Sequence, residues 1–323
     1  MRAIQFSEIG GPDVLRLVDL PEPSPGPGEL RIRHSMIGVN FIDTYHRSGL
    51  YALPLPSGLG LEGVGHVDAI GEGVTRFAPG DRAAYCTGPI GAYREAHCVP
   101  QERALHVPAG ISDEIAAAGL LKGMTARYLL HKTFPVKPGD FVVLYAAAGG
   151  VGQICAQWAA QLGAVVIGIV SNPQKAALAK SLGCTFALIQ GAEDIPARVR
   201  EISGGEGAAV VYDSVGRETF AQSLDCLAPL GMLVSFGNAS GPVPDFSPNL
   251  LSQKGSLFLT RPTLFHYTRT PALLQETADA LFAVLASGAV RIAPPTRYAL
   301  ADAGQTHRDL ESRSITGSVV LVP

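Results

Sequence analysis

The chain has 323 residues, 25 of them Lys or Arg and 28 Asp or Glu, for a formal net charge of −3, and 47% of its residues are hydrophobic. This length accommodates two domains, each with its own core. Charge is nearly balanced and no block of one sign occurs, so nucleic-acid and membrane-surface binding get no electrostatic support, and no uncharged apolar run reaches the ~18 residues that span a bilayer.

The opening MRAIQFSEIGGPDV lacks a basic region followed by an apolar one, so a soluble, cytoplasmic protein is expected. Up to about residue 120, short β-like runs at 2–6, 29–37 and 63–70 alternate with Gly/Pro turns, which predicts a compact β-rich domain. Within it, residues 38–45 and 49–51 form a polar and aromatic cluster, read as loop at a domain edge. Five cysteines, Cys86, Cys98, Cys155, Cys184 and Cys226, include no CxxC pair, against both a disulfide framework and a clustered zinc site.

From about 124 to 261 strands and helices alternate. Strands are predicted at 141–146, 165–170, 185–189, 208–212, 231–236 and 256–260, with helices near 150–162, 173–182, 194–203 and 217–227 between the first five strands. This is the pattern of an α/β doubly wound parallel sheet. Its first strand is apolar throughout, as a strand buried on both faces must be. The next helix places Val151, Ile154, Cys155, Trp158 and Leu162 on one stripe, and Gly163 ends it.

Between them Ala147, Ala148, Gly149, Gly150, Val151 and Gly152 make an AxGxxG variant of the dinucleotide fingerprint. Gly149 lets backbone approach a pyrophosphate, Gly152 lets helix and strand pack closely, and the free amides of the helix start hold anionic oxygens. Roughly 20 residues on, where that fingerprint carries a ribose-binding acid, the chain reads Ser171, Asn172, Pro173, Gln174, Lys175. A hydroxyl and an ammonium suit a 2′-phosphate, so NADPH is expected over NADH. The bland alternative is a solvated Lys175 and a Ser171 that only helps cap a helix begun by Asn172 and Pro173. Residues 211–216, with Ser214, and 235–238, with Phe236 and Asn238, fall at the carboxyl ends of the fourth and fifth strands, where ligands bind. The tail holds a helix at 271–287, a polar helix near 302–312 and a strand at 318–322. A lone helix and strand cannot bury a core, so the tail should return to the first domain.

The motifs GVNFIDTYHRSGLY (38–51), LPSGLGLEGVG (55–65), LKGMTARYLL (121–130), YAAAGGVG (145–152), VVYDSVG (210–216), VSFGNASG (234–241) and QKGSLFLTRP (253–262) resemble, nearly end to end, the zinc-independent quinone oxidoreductases of the zeta-crystallin-like branch of the medium-chain dehydrogenase/reductase superfamily. The resemblance implies a GroES-like catalytic domain (1–123, completed by 262–323), a Rossmann domain (124–261), NADPH in the cleft, and a homodimer paired near residues 256–260. It also implies cofactor contacts at Asn40, Asp43, Tyr45, Tyr128, Ala148, Gly149, Gly150, Val151, Ser171, Lys175, Ser214, Phe236, Asn238, Arg261 and Arg313. One departure is Gln190, where relatives often place a tyrosine beside the adenosine phosphate.

Zinc-dependent relatives carry ligands where this chain has Asn40, Leu61 and the Leu121–Lys122 pair. His66, His97 and His106 offer no ligand spacing, so no metal is expected. Without a Lewis acid, reduction of an electron-poor acceptor remains feasible, because the nicotinamide supplies hydride or electrons and the protein positions and desolvates the pair. The expected activity is NADPH-dependent reduction of small quinones. Asn40, Tyr45 and Tyr51 are the candidate catalytic residues, with Tyr45 orienting the acceptor or stabilising charge on its oxygen. Two alternatives stand beside it: an alkenal or enone reductase of the same architecture, and a non-catalytic NADPH-binding structural or RNA-binding protein.

Overall fold

In the computed structural model, which describes residues 1–312 and 314–323, the Gly/Pro-punctuated first third becomes strand. β1 (Arg2–Phe6) pairs antiparallel with β2 (Arg16–Asp19). After β3 (Glu29–Val39) come helix α1 (Phe41–Ser48), β4 (Ser57–Gly58), β5 (Glu62–Ile70), β6 (Arg82–Tyr85), β7 (Ala96–Pro100), β8 (Leu105–His106) and helix α2 (Asp113–Tyr128). The long β3 is the spine, antiparallel to both β5 and β7. Its inward side chains Leu30, Ile32, Ile37 and Val39 pack with Ile4, Phe6, Leu59 and Tyr93 in one apolar core.

The expected loop over residues 38–45 is overturned, because residues 41–48 are helical. The caps explain it. The Asp43 carboxylate accepts the Asn40 backbone amide at 2.9 Å, and Gly49 closes the helix at φ 82°, a left-handed position suited to glycine. The aromatic and β-branched side chains between these caps masked the helix.

The alternating segment forms β9 (Phe141–Tyr145), α3 (Gly150–Gln161), β10 (Val165–Val170), α4 (Pro173–Ser181), β11 (Phe186–Ile189), α5 (Ile195–Ile202), β12 (Ala208–Asp213), α6 (Phe220–Asp225), β13 (Leu227–Ser235), α7 (Asn249–Gln253), β14 (Phe258–Thr260) and α8 (Leu264–Tyr267). Its six strands are all parallel, in the order β11-β10-β9-β12-β13-β14. Strand order reverses between β9 and β12, and the glycine turn sits at that switch point, where doubly wound sheets bind ligands. β13 starts four residues before the expected 231, where a register shift against β12 extends the pairing to Leu227.

In the tail, α9 (Pro271–Ala286) leads to β15 (Thr296–Ala299), α10 (Ala303–Glu311) and β16 (Val319–Val322). β16 pairs antiparallel with β3, matching Val319 with Val39 and Leu321 with Ile37. Met1–Leu121, Thr268–Ala286 and Ile292–Pro323 make one compact unit, and Lys122–Tyr267 with Ser287–Arg291 the other. No helix among the described residues is long and apolar enough to cross a membrane.

Candidate active site

The parallel-sheet unit builds a phosphate cradle from backbone. At the end of β9 the chain turns through Ala146, at φ 51°, and Gly149 donates its amide to the Ala146 carbonyl at 2.8 Å. Gly149 is then the N-cap of α3 without a side-chain cap. The amides of Gly150, Val151 and Gly152 have no carbonyl one turn back, so the helix start presents N–H groups to an anion.

The two fingerprint glycines serve different ends. A Cβ on Gly152 would stand 2.2 Å from the Ala146 carbonyl oxygen and 2.8 Å from Ala147 Cα, so helix and strand demand glycine there. A Cβ on Gly149 would meet that carbonyl oxygen at 3.2 Å and the Ala146 Cβ at 3.9 Å, and its φ of −82° suits any residue. Packing therefore leaves Gly149 largely unexplained, which is what a residue beside a bound diphosphate would show. Ala148 lies beneath, 3% exposed, its carbonyl accepting from Gln153 Nε2 at 2.9 Å.

One strand over, Ser171 is exposed just past β10, and Asn172 caps α4 by accepting the Lys175 amide at 2.9 Å. Proline occupies the first turn of α4. Ser171 and Lys175 thus flank the start of a helix that carries no acid in its first turn. Gln190, exposed past β11, carries no charge. Lys175→Ala is expected to weaken NADPH binding about tenfold while leaving NADH affinity within about twofold, the scale of one charge-assisted contact. Titration of both nucleotides checks this, and equal losses would remove Lys175 from the phosphate site.

The loops past β12 and β13 are clamped together. Asp213, 1% exposed, accepts four bonds: Val215 N (2.7 Å) and Gly216 N (3.1 Å) on Oδ1, Thr219 Oγ1 (2.7 Å) and Ser223 Oγ (2.7 Å) on Oδ2. A Cβ on Gly237 would fall 2.4 Å from the Ser214 carbonyl oxygen, and the Ala239 amide donates to that oxygen at 3.2 Å. Ser214, Phe236 and Asn238 are therefore held at the same sheet edge as the glycine turn. Arg261 donates to the Ser235 carbonyl at 2.9 Å. Tyr128 stacks on Tyr267 with ring centroids 4.4 Å apart and planes at 10°, and Tyr267 accepts from Thr133 Oγ1 at 2.9 Å. Burial pushes the Tyr128 hydroxyl pKa up, against the nearby Arg261 cation. Asp213 was read from sequence only as part of the run 211–216, and Tyr267 not at all. The first had a local signal, hydroxyl residues six and ten positions on; the second had none. Arg313 lies outside the described residues.

The β-rich unit gathers the other candidates around α1. Asn40 (4% exposed) donates from Nδ2 to Glu62 Oε2 at 2.8 Å, and Leu121 N donates to Glu62 Oε1 at 2.7 Å. Asp43 is wholly buried, its Oδ2 accepting from the Asn40 amide and from Tyr93 Oη, both at 2.9 Å. Tyr45 (9% exposed) meets Tyr51 edge-on at 5.3 Å and 75°, and the Tyr51 amide donates to the Tyr45 carbonyl at 3.1 Å. The structure thus brings Asn40, Asp43, Tyr45 and Tyr51 together on one short helix and the turn after it. Among the described residues no three His, Cys, Asp or Glu side chains group as metal ligands would.

A doubly wound parallel sheet with a dinucleotide turn, joined in one chain to a β-rich unit, defines a dehydrogenase/reductase of two units. Family models agree: the alcohol dehydrogenase GroES-like domain matches residues 26–134, and the zinc-binding dehydrogenase domain residues 150–280. The chain is 52% identical to a quinone oxidoreductase of Pseudomonas aeruginosa over all of this chain and 99% of that one. It is 44% identical to a 2-haloacrylate reductase of a Burkholderia species, over 97% and 96% of the two chains. The crystal structure of Escherichia coli quinone oxidoreductase complexed with NADPH superposes with a TM-score of 0.98 at 45% identity, covering all of both chains. The chain belongs to the quinone oxidoreductase family of the medium-chain dehydrogenase/reductase superfamily.

Proposed function

We propose that this protein reduces small quinones with NADPH and does so without zinc. The observation that carries this reading is the uncapped start of α3 behind Gly149, followed one strand later by Ser171 and Lys175 in place of an acid. The residues fit the nucleotide: the amides of Gly150 and Val151 hold the diphosphate, Ser171 and Lys175 the 2′-phosphate. When bound, NADPH supplies the reducing equivalents, as hydride or as electrons.

The chain's own residues do the rest. Tyr45 orients the acceptor carbonyl and places a hydroxyl donor where negative charge grows on its oxygen. Tyr51 packs on the Tyr45 ring and limits its rotation. Both carboxylate oxygens of Glu62 accept hydrogen bonds, one from Asn40, which favours a site working through positioning over one built to hold zinc. Five cysteines outside any disulfide fit a reducing compartment, the cytoplasm. Two copies would pair along β14, an edge strand whose Phe258 is 56% exposed.

The test is NADPH oxidation, in parallel with NADH, against a para-quinone and an α,β-unsaturated aldehyde with chelator present. Chelator-resistant, NADPH-preferring turnover of the quinone is expected. The 2-haloacrylate reductase relative favours a second reading, reduction of electron-poor alkenes, and turnover of the aldehyde alone would replace the first with it. Tyr45→Phe is expected to lower quinone kcat/KM about 10- to 100-fold with little change in stability. Unchanged turnover of every acceptor would take Tyr45 out of the chemistry.

A further inference from the structure

We infer that His307, on α10, is a positioning residue for the Asn40 and Tyr45 end of the site, acting through Tyr93 and Asp43; this rests on the quinone-reductase reading. His307, Tyr93, Asp43, Asn40 and Glu62 form one buried line of hydrogen bonds, passing through the Asn40 backbone amide. His307, Tyr93, Asp43 and Glu62 are each 0% exposed, Arg47 3% and Asn40 4%.

The polarity of every link follows from its ends. A guanidinium only donates, so His307 Nδ1, 3.1 Å from Arg47, is an acceptor. The ring proton therefore sits on Nε2, which donates to Tyr93 Oη at 3.2 Å. The Tyr93 hydroxyl sends its own proton to Asp43 Oδ2 at 2.9 Å, beside the Asn40 amide that bonds the same oxygen. Asn40 then points Nδ2 at Glu62, whose other oxygen holds the Leu121 amide. At the far end Arg47 is pinned by Glu311 at 2.6 and 3.1 Å and by the Gly10 carbonyl at 3.0 Å.

Each alternative leaves a buried group unmet. A His307 proton on Nδ1 would face the Arg47 guanidinium donor-to-donor and strip Tyr93 of its Nε2 donor. A charged ring would sit against Arg47 at a wholly buried position. Burial and Arg47 accordingly push the imidazole down to about 3, which keeps it neutral at physiological pH. The line ends on the N-cap and third residue of α1. Rotating either one moves the start of α1 and with it Tyr45, two residues past Asp43 and five past Asn40. The tail helix thereby sets the geometry of a site more than 200 residues away in sequence.

The experiment uses the full chain and four variants: His307→Gln, His307→Leu, Tyr93→Phe and the double His307→Leu/Tyr93→Phe. Glutamine keeps one acceptor and one donor at a separation like that of the two ring nitrogens. Expected are losses of about tenfold in quinone kcat/KM for His307→Leu and Tyr93→Phe, the double no worse than the weaker single, and recovery to within about threefold for His307→Gln. Affinity for 2′,5′-ADP, which reports only the adenosine end, should not change. Unchanged kcat/KM in both single variants overturns the proposal, as do additive losses, or losses that follow Tm and 2′,5′-ADP binding together and resist rescue by glutamine. Nitrogen NMR of histidine-labelled wild type reads the same device without turnover. A neutral His307 protonated on Nε2 from pH 5 to 8 supports it, whereas an Nδ1–H ring or titration near the usual histidine value overturns it. Wild type inactive toward every acceptor sinks the quinone reading, while the NMR result still decides the hydrogen-bond line.

Discussion

Lowering the pH from 7 to about 4.5 is expected to unfold the β-rich unit with uptake of nearly three protons. Four of its histidines, His34, His46, His97 and His307, are buried, and burial lowers the pKa of each. Burial pushes His34 down to about 4, burial with the nearby Arg94 cation takes His97 to about 3, and burial with Arg47 takes His307 to about 3. His34 bonds Tyr85 Oη and the Arg94 carbonyl, His97 the Pro89 carbonyl, and His307 lies in the Arg47 line, so none gains a counter-charge on protonation. The unfolded chain takes up each proton near pH 6.5, the folded unit only near the lowered values. The contribution of these rings to stability is thus complete above pH 6.5 and falls away as the pH drops toward 4 and 3.

Each ring changes stability by about 1.4 kcal/mol per pH unit inside that window, so three over two units amount to about 8 kcal/mol, comparable with the whole stability of a typical domain. Asp113, held low by Ser35 and Arg82 against its burial, adds to the loss only at more acidic pH. Urea midpoints read from the NMR signals of labelled His34, His97 and His307 between pH 7.5 and 4.5 would check this. Trp158, the sole tryptophan, reports the other unit, where one ring, His131, is pushed down to about 4, so its midpoint should fall less steeply. A midpoint read from these histidines that stays flat between pH 7 and 5 would mean that the rings are already charged or wet.

The second large effect separates the two glycines of the turn. Gly152→Val is expected to cost about 3 kcal/mol or more and to abolish NADPH binding, since its Cβ would press on backbone at 2.2 and 2.8 Å and backbone cannot step aside as a side chain can. Gly149→Ala should cost under about 1 kcal/mol, because the one close atom is 3.2 Å away and the backbone is in an ordinary region. Its NADPH affinity should nevertheless fall about tenfold, the methyl standing where the diphosphate comes in. Denaturant midpoints and NADPH titrations on both variants decide it. A Gly149→Ala protein that binds NADPH normally would leave that glycine without a ligand role, and a stable Gly152→Val would put the turn elsewhere.

Each strand of the parallel sheet was legible, the ends less so: β13 begins four residues before the expected 231, and α7 and α8 carried no expectation. Residues 165–170 coincide with β10, and 150–162 with α3 to within one residue. Apolar runs of strand length and a helical stripe are local signals, and glycine at a turn is one also. The β-rich unit was legible as a texture only. Its helix α1 was missed because two caps outweighed the propensities of Phe41, Ile42, Thr44 and Tyr45.

By itself, the sequence determined the alternating sheet, the glycine turn, the absence of an acid past β10 and the lack of ligand residues at the family's zinc positions, all of them properties of neighbouring residues or of single side chains. Only the tertiary structure decided which polar groups meet inside. Arg47 finds His307 across 260 residues and Tyr93 finds the same ring across 214, while Tyr128 lies against Tyr267. Such pairings leave no period and no spacing in the chain. They arise because a buried donor or acceptor must find a partner wherever the fold brings one, and the cost of leaving it unmet depends on a burial that exists only once the chain has folded.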